Sequence, residues 1–99
     1  MSNPLCSIII PTYNHGKYIE RSVQCALDQT YQNVEIIVVD DGSSDETYAI
    51  ATSEFADIDI VSVYTKPNGG KAEALNFGWR KAKGDIIISG DSAEDQLVY

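Results

Sequence analysis

Four short apolar runs recur along the chain, and a polar stretch follows each of them. The runs are rich in Ile and Val and cover residues 7–10, 34–39, 58–64 and 86–88, with Pro11 ending the first. Runs of this kind are typical of strands that are buried on both faces of a sheet. The sequence therefore predicts four strands, the first of them buried.

Helix-period patterns separate these strands. The first helix runs to about Gln29, and its apolar face contains Ile19, Val23, Ala26 and Leu27. A later helix is ended by Gly84 as a cap, and its apolar face contains Ala72, Leu75, Trp79 and Ala82. Between them, Ser43 or Ser44 is predicted to cap a helix that runs to about Phe55. The alternation predicts an α/β fold, a three-layer Rossmann-like mostly parallel sheet with about four strands and three helices.

The length and charge of the chain limit its domain count and its partners. Its 99 residues make one domain, and 43% hydrophobic residues suit a globular protein. The chain has 7 Lys and Arg residues and 15 Asp and Glu residues, so its net charge is −8. Because nucleic acids and anionic membranes carry phosphate groups, so acidic a chain is a poor partner for either. We expect no nucleic-acid partner.

The cysteines and the N-terminal segment indicate a cellular compartment. Cys6 and Cys25 lack the spacing of a zinc site or a disulfide framework, which predicts buried free thiols. The longest apolar run, residues 6–11, is far shorter than the roughly 20 residues that span a membrane. No signal-peptide pattern is visible. We expect a cytoplasmic protein.

The loops after the four strands hold most of the unusual residues. They cover residues 11–16, 40–45, 66–71 and 90–95. In open α/β sheets, ligands bind beyond the carboxyl ends of the strands, which is where these loops meet. Their aromatic, acidic and glycine residues exceed what turns require, so this edge is the predicted ligand site.

Two of these loops carry an aromatic ring and paired carboxylates. Tyr13 either packs on a neighbour or stacks on a base. Asp40 and Asp41 either form a turn and a helix cap or accept hydrogen bonds from a ligand. His15 is the only histidine and is expected to be solvated.

The other two loops carry a lysine and an acidic cluster. Lys71 is either solvated or bound to phosphate oxygens. Asp91, Glu94 and Asp95 form either an exposed acidic turn or a site for Mg²⁺ or Mn²⁺, which take oxygen ligands. Both interpretations remain open on the residues alone.

Motifs of several other α/β classes are absent. The chain has no G-x-x-x-x-G-K-[ST], no G-x-G-x-x-G and no G-x-S-x-G. These absences exclude a P-loop NTPase and argue against a dinucleotide-binding fold and a hydrolase nucleophile elbow. A sugar-nucleotide pyrophosphorylase would need a Gly-rich basic loop after the first strand, and a receiver module would place its paired acids there.

Three segments, in order, resemble glycosyltransferase family 2. They are Ser7-Ile8-Ile9-Ile10-Pro11-Thr12-Tyr13-Asn14, the stretch from Asp28 to Val39-Asp40-Asp41-Gly42-Ser43-Ser44-Asp45, and Asn68-Gly69-Gly70-Lys71 with Ala74-Leu75-Asn76, Gly78 and Ala82-Lys83-Gly84-Asp85. The resemblance covers nearly the whole chain, and together the motifs are highly specific. It implies a GT-A fold and a nucleotide-diphosphate sugar as donor, with a UDP-sugar expected.

The resemblance also implies roles for individual residues. The nucleotide-binding set would be Pro11, Thr12, Tyr13, Asp40, Asp41 and Lys71. Tyr13 would lie against the base, and Asp41 would accept a hydrogen bond from it, typically from uracil N3–H. Asp40 would support that loop. Lys71 lies in the segment that approaches the ribose and phosphates.

The metal motif departs from the family's pattern. The fourth strand should lead into an Asp-x-Asp-type motif, and this chain has Asp91-Ser92-Ala93. Ala93 stands where a second carboxylate would coordinate the cation, so Glu94 or Asp95 would substitute. The resemblance therefore implies Mn²⁺ or Mg²⁺ held by Asp91, Glu94 and Asp95, with weakened binding.

The family's reaction would be transfer of the sugar to an acceptor hydroxyl with inversion. The acceptor would be a saccharide or a lipid-linked molecule, and a carboxylate downstream of Tyr99 would be the general base. We expect residues 1–99 to form a single partial domain, the donor-binding half, truncated before the acceptor-binding half. No catalytic residue is therefore expected in this chain.

The early stop leads to two further expectations. The isolated chain should self-associate through surface that truncation exposes, and the full-length protein would be cytoplasmic or peripheral to a membrane. The alternative function is a non-catalytic nucleotide-binding or structural remnant of the same family, which Ala93 favours.

Overall fold

Strands and helices alternate in the computed structural model, which describes residues 4–14, 16 and 18–89. In chain order they are β1 (Cys6–Thr12), α1 (Ile19–Leu27), β2 (Val34–Asp40), α2 (Thr47–Phe55), β3 (Val61–Thr65), α3 (Lys71–Lys81) and β4 (Ile86–Ser89). The strands form one parallel sheet in the order β3-β2-β1-β4. The predicted α/β fold with four parallel strands and three helices is confirmed.

The side chains of the central strands alternate between two apolar layers. The layer under α1 and α2 contains Ile8, Ile10, Val23, Ile36, Val38, Ala51 and Phe55, and the layer under α3 contains Ile9, Ile37, Val39 and Ala74. Both faces of β1 and β2 are therefore buried, which explains why their sequences are continuous apolar runs.

The register of the sheet brings three strand ends into one row. Thr12 of β1 is paired with Asp40 of β2, and Asp40 is paired with Thr65 of β3. The chain moves outward from β1 to β2 and β3, then crosses to β4 on the other side of β1. A change of direction of this kind leaves a crevice beyond the strand ends, where ligands bind in such folds.

Pro11 does not end the first strand as predicted, because β1 continues to Thr12. The carbonyl of Thr12 accepts the backbone N–H of Asp41 at 2.8 Å, so the backbone groups of Thr12 face β2 and those of Pro11 face the other way. On that side, pairing with β4 is described only as far as Ile9 with Ser89. The missing N–H of Pro11 therefore costs the described ladder no hydrogen bond.

The third strand begins later than predicted. Residues 58–60 form a turn in which Val61 N donates to Ile58 O at 3.0 Å, and the strand runs from Val61 to Thr65. Residues 58–60 of the predicted run therefore lie outside the strand, and Ile60 is 40% exposed. This turn still contacts the sheet, because the carbonyl of Ile60 accepts the backbone N–H of Ile36 at 2.7 Å.

The predicted cap of α2 at Ser43 or Ser44 is wrong. The helix begins at Thr47, after Glu46. Ser43 Oγ donates to Asp40, and Ser44 N donates to Asn14 Oδ1 at 2.8 Å, so both serines serve loop contacts instead.

The predicted apolar face of α3 is only partly right, because Leu75 and Ala82 pack against the core but Ala72 and Trp79 are exposed. Its buried residues are Ala74 and Gly78, while Trp79 is 64% exposed. A Cβ added to Gly78 would lie 2.5 Å from Ile9 Cγ2, so small residues bring this helix close to the sheet. The helix ends at Lys81, before Gly84, whose N–H donates to Ser7 Oγ at 2.8 Å rather than capping the helix.

The cysteine prediction holds for one of the two residues. Both thiols are free, Cys6 is buried, and burial raises the pKa of its thiol. Cys25 is exposed, because the buried side of α1 is formed by Ile19, Ser22, Val23 and Ala26. Within the described residues, no helix is both long enough and apolar enough to cross a membrane.

Candidate functional site

Three polar residues are buried where the central strands end. Thr12 and Asp40 are each 2% exposed and Asp41 is 4% exposed. Polar groups are rarely buried unless their hydrogen-bonding groups are used. The partners of these three side chains therefore define what the edge can bind.

Asp40 supports its own loop and the neighbouring strand. Its carboxylate accepts hydrogen bonds from Ser43 Oγ, from Ser43 N at 3.3 Å and from Thr65 Oγ1 at 2.9 Å. These contacts close the turn after β2 and tie it to the end of β3. The Asp40 carboxylate is thus engaged with the protein itself.

Asp41 anchors the loop of residues 66–70, which joins β3 to α3. Its Oδ1 accepts hydrogen bonds from Lys66 Nζ at 2.8 Å and from Gly69 N at 3.0 Å. Its Oδ2 accepts one from Gly70 N at 2.9 Å. The Asp41 carboxylate therefore occupies the N-terminal end of α3, where backbone N–H groups favour an anion.

The environment of Asp41 favours its charged form. Burial by itself raises the pKa of this carboxyl, but the hydrogen bond from Lys66, the backbone N–H groups of Gly69 and Gly70 and the charge of Lys66 outweigh burial. The net effect holds the pKa of Asp41 below its ordinary value. An ionised Asp41 can only accept hydrogen bonds, so it is suited to a ligand group that donates an N–H.

Thr12 is the polar group at this edge that lacks a partner. Its Oγ1 is buried and makes no hydrogen bond within the part of the chain that the structure describes. Leaving a buried hydroxyl unpaired costs roughly 1–3 kcal/mol. A ligand that hydrogen-bonds to this hydroxyl would remove that cost.

Asn14 joins the loop after β1 to the loop after β2. Its backbone has a positive φ of 53°, which Asn tolerates better than most residues. Its N–H donates to Ser43 Oγ at 2.8 Å, and its Oδ1 accepts from Ser44 N at 2.8 Å and from Asp45 N at 3.3 Å. The neighbouring Tyr13 is 46% exposed, so its ring is accessible beside these joined loops.

The remaining predicted nucleotide residues lie on either side of this cluster. Pro11 is buried in β1, and Lys71 is exposed as the first residue of α3. The structure thus brings Thr12, Asp40 and Asp41 into contact, with Tyr13 and Lys71 at the ends of adjoining segments.

Sequence reasoning missed three residues of the site, which are Asn14, Lys66 and Asn68. Asn68 Nδ2 donates to the carbonyl of Asp41 at 3.0 Å and lies 3.4 Å from its Oδ2. The available signal was position, since Asn14 and Lys66 follow closely after strands that end at this edge. Their partners depend on the register of the sheet, which the local sequence does not specify.

The predicted metal ligands Asp91, Glu94 and Asp95 lie outside the described residues, as does Ala93. Across residues 4–14, 16 and 18–89, the structure shows no group of three or more metal-ligating side chains. The two carboxylates described at this edge of the sheet, Asp40 and Asp41, accept hydrogen bonds from other groups of the protein.

A separate apolar groove lies on the α3 side of the sheet. It encloses about 540 Å³ and is lined by Ile9, Ala72, Leu75, Asn76, Trp79, Asp85, Ile87 and Ser89. None of the predicted nucleotide-binding residues lines it. Its apolar walls suit packing against other apolar groups better than phosphate binding.

Comparison with protein families gives a match over most of the chain. Residues 7–92 match the model described as glycosyl transferase family 2. A glycosyltransferase of Rickettsia typhi is 48% identical over 97 residues, which are 98% of this chain and 29% of the relative. The chain thus spans under a third of that relative's length.

Solved structures with the same fold include nucleotide-sugar complexes. A mannosyltransferase from Pyrobaculum calidifontis in complex with GDP-Man and Mn²⁺ has a TM-score of 0.83 and 30% identity, covering 92% of this chain and 28% of that one. S. aureus TarS in complex with UDP-GlcNAc has a TM-score of 0.79 and 31% identity, covering 88% of this chain and 26% of that one.

Proposed function

Since the chain belongs to glycosyltransferase family 2, we propose that it binds the nucleoside diphosphate of a sugar donor at the carboxyl edge of its sheet. The preferred donor is a UDP-sugar. The protein to which this site belongs transfers the sugar to an acceptor hydroxyl with inversion. The acceptor is a saccharide or a lipid-linked molecule, and a carboxylate acts as the general base.

The observation that carries this proposal is the unpaired, buried hydroxyl of Thr12, a residue whose backbone is bonded to that of Asp41. Thr12 O accepts the backbone N–H of Asp41 at 2.8 Å, so the two residues are held together. The Thr12 hydroxyl has no described partner and the Asp41 carboxylate is a hydrogen-bond acceptor. A nucleoside offers donors and acceptors for both groups, and the exposed Tyr13 ring adds a surface for stacking.

A divalent cation belongs to the same proposal. The structural relative with GDP-Man also contains Mn²⁺. In this chain Asp91, Glu94 and Asp95 would hold Mn²⁺ or Mg²⁺, which would neutralise the charge of the leaving diphosphate. Ala93 predicts weaker metal affinity than a complete motif would give.

The proposed site is tested by calorimetric titration of UDP into the chain and into Thr12→Val, with and without Mn²⁺. Val has nearly the shape of Thr and lacks the hydroxyl, so we expect roughly tenfold weaker binding, or about 1.4 kcal/mol, with the fold retained. Thr52→Val on α2 is the matched control, because Thr52 Oγ1 bonds only within its own helix in the described contacts. Equal UDP affinity in Thr12→Val and the wild type would contradict the proposed site.

A non-catalytic remnant is the second candidate function, and Ala93 favours it. Both candidates bind UDP, but they differ in turnover. Sugar transfer by the full-length protein, measured with a UDP-sugar and a saccharide acceptor, supports the enzyme. UDP binding without transfer or donor hydrolysis supports the remnant.

We also propose a cytoplasmic location and self-association of the isolated chain. The exposed Trp79 and Ile86, 64% and 46% accessible, provide apolar surface on α3 and β4. Light scattering should show an apparent mass that rises with concentration. A constant monomer mass would contradict self-association.

A further inference from the structure

Lys66 forms the closest charged contact of the buried Asp41 carboxylate. It follows directly after β3, and its backbone N–H donates to Asp40 O at 2.9 Å. Its Nζ lies 2.8 Å from Asp41 Oδ1 and 2.6 Å from Pro67 O, and only 12% of its side chain is exposed. We propose that Lys66 is a positioning residue for donor binding, because it holds one oxygen of the Asp41 carboxylate and so leaves the other one for the ligand.

The charges around this pair show why an ammonium is needed. Asp40 precedes Asp41 and is also buried, and Glu73 on α3 lies 3.7 Å from Lys66 Nζ. Among the described residues, Lys66 supplies the positive charge in contact with the Asp41 carboxylate. Without Lys66, the buried Asp41 would keep its cost of desolvation and lose its nearest opposite charge.

Lys66 also determines which Asp41 oxygen keeps capacity for a further hydrogen bond. Two good donors, Lys66 Nζ and Gly69 N, occupy Oδ1. On Oδ2, Gly70 N lies at 2.9 Å, and the other contact is Asn68 Nδ2 at 3.4 Å. Since Asn68 Nδ2 has a closer acceptor in Asp41 O at 3.0 Å, a ligand N–H would displace little to reach Oδ2.

The same contacts fix the loop of residues 66–70. A Cβ on Gly42 would lie 2.6 Å from Asn68 N, so this loop packs backbone to backbone on the loop after β2. The loop leads directly into Lys71, the first residue of α3. A substitution of Lys66 is therefore expected to shift both Asp41 Oδ2, the oxygen proposed to accept the base N–H, and the first turn of α3.

The proposal predicts a specific pH dependence. Asp41 accepts a base N–H only when it is ionised. Lys66 is the charged group in contact with its carboxylate, Glu73 lies against Lys66, and the Asp40 carboxylate is bonded instead to Ser43 and Thr65. Loss of the Lys66 ammonium raises the pKa of Asp41, so binding of the variant fails at a higher pH than binding of the wild type. A purely structural role for Lys66 would weaken binding equally at every pH.

This inference rests on the proposed nucleotide site, and one titration series tests both. UDP affinity is measured from about pH 4.5 to 8 for the wild type, Lys66→Met and Lys66→Arg, with Lys83→Met as control, because Lys83 is exposed and uses only its backbone N–H toward Glu35. The dissociation constant of each variant is divided by that of the wild type at the same pH, so that the protonation of the diphosphate affects both values equally and drops out. We expect Lys66→Met to bind roughly tenfold more weakly at neutral pH and still more weakly in acid, with Lys66→Arg close to the wild type.

The outcomes separate the two claims. No UDP binding by the folded wild type overturns the proposed function. Wild-type binding with unchanged Lys66→Met affinity, or with a loss that does not vary with pH, overturns the role of Lys66 alone. If Lys66→Met does not fold, Lys66→Gln is titrated in its place: wild-type affinity, or a loss that does not vary with pH, overturns the inference, and a loss that grows in acid supports it.

Discussion

Asn14 Oδ1 accepts the backbone N–H of Ser44 at 2.8 Å, and this contact joins the loop after β1 to the loop after β2. The two loops carry Tyr13 and Asp41, which lie far apart in sequence. Three further hydrogen bonds, from Asn14 N to Ser43 Oγ, from Asp45 N to Asn14 Oδ1 and from Gly16 N to Asp45 Oδ2, reinforce the junction. The geometry of the proposed nucleoside site therefore depends on a residue that need not contact the ligand.

Replacing Asn14 with Ala should loosen this junction. The variant loses the Oδ1 acceptor and is strained by the positive φ of 53°, so we expect a loss of about 1–2 kcal/mol in the free energy of unfolding and weaker UDP binding. Asn14→Asp keeps the acceptor and the tolerated φ, and it is the matched control. Chemical denaturation and calorimetry check both. Equal losses in the two variants would show that the Oδ1 contacts do not hold the site.

Gly42→Ala should destabilise the protein more than Gly70→Ala. Both glycines have positive φ, 72° and 100°, so both variants are strained. Only the new methyl at position 42 meets a neighbour, Asn68 N at 2.6 Å, whereas nothing lies within 4 Å at position 70. We expect an additional cost of about 1–3 kcal/mol for Gly42→Ala in urea denaturation. Equal costs would argue against the close packing of the two loops.

Gly78→Ala should separate α3 from the sheet. Ala favours a helix by about 1 kcal/mol over Gly, but here its Cβ would lie 2.5 Å from Ile9 Cγ2. We expect the steric cost to exceed this gain, giving net destabilisation of about 1–2 kcal/mol in a denaturation series. In the Ile9→Ala background the same substitution should be neutral or stabilising. Net stabilisation in the wild-type background would contradict the close approach.

Acid should destabilise the wild type more steeply than Asp41→Asn. The pKa of Asp41 is below its ordinary value, so its ionised form contributes stability above about pH 4, and that stability is lost as the pH falls through the folded-state pKa. The pKa of Asp45 is also below its ordinary value, chiefly because of the side-chain hydrogen bond from Thr47, so Asp45 adds to the same trend. Thermal unfolding of both proteins between about pH 3 and 7 measures the difference. Parallel curves would show that Asp41 does not titrate with a lowered pKa.

The sheet was predictable because its central strands are buried on both faces. The runs at residues 7–10 and 34–39 contain almost only apolar residues. The first run lies within β1 and the second within β2. The face of α3 was predicted only in part: Leu75 and Ala82 pack against the core, but Trp79 was assumed to point inward and is exposed. Gly78 faces the sheet instead, and a residue without a side chain contributes nothing to an apolar pattern.

The contacts of the site were less predictable than its location. The rule that ligands bind beyond strand ends placed Thr12, Asp40 and Asp41 at one edge. The pairing of Asp41 with Lys66 spans 25 residues and depends on the alignment of β2 with β3. No local pattern encodes that register, so the residue that supports Asp41 became visible only in the folded structure.

The most direct test of the account is a two-dimensional amide NMR titration of the ¹⁵N-labelled chain with UDP. We predict that the largest shifts occur at Thr12, Tyr13 and Asp41, with smaller shifts through residues 66–70. The amides that line the groove beside α3, such as Leu75 and Ile87, should change little. Shifts confined to that groove, or no shifts in a folded sample, would contradict a nucleotide site at the carboxyl edge of the sheet.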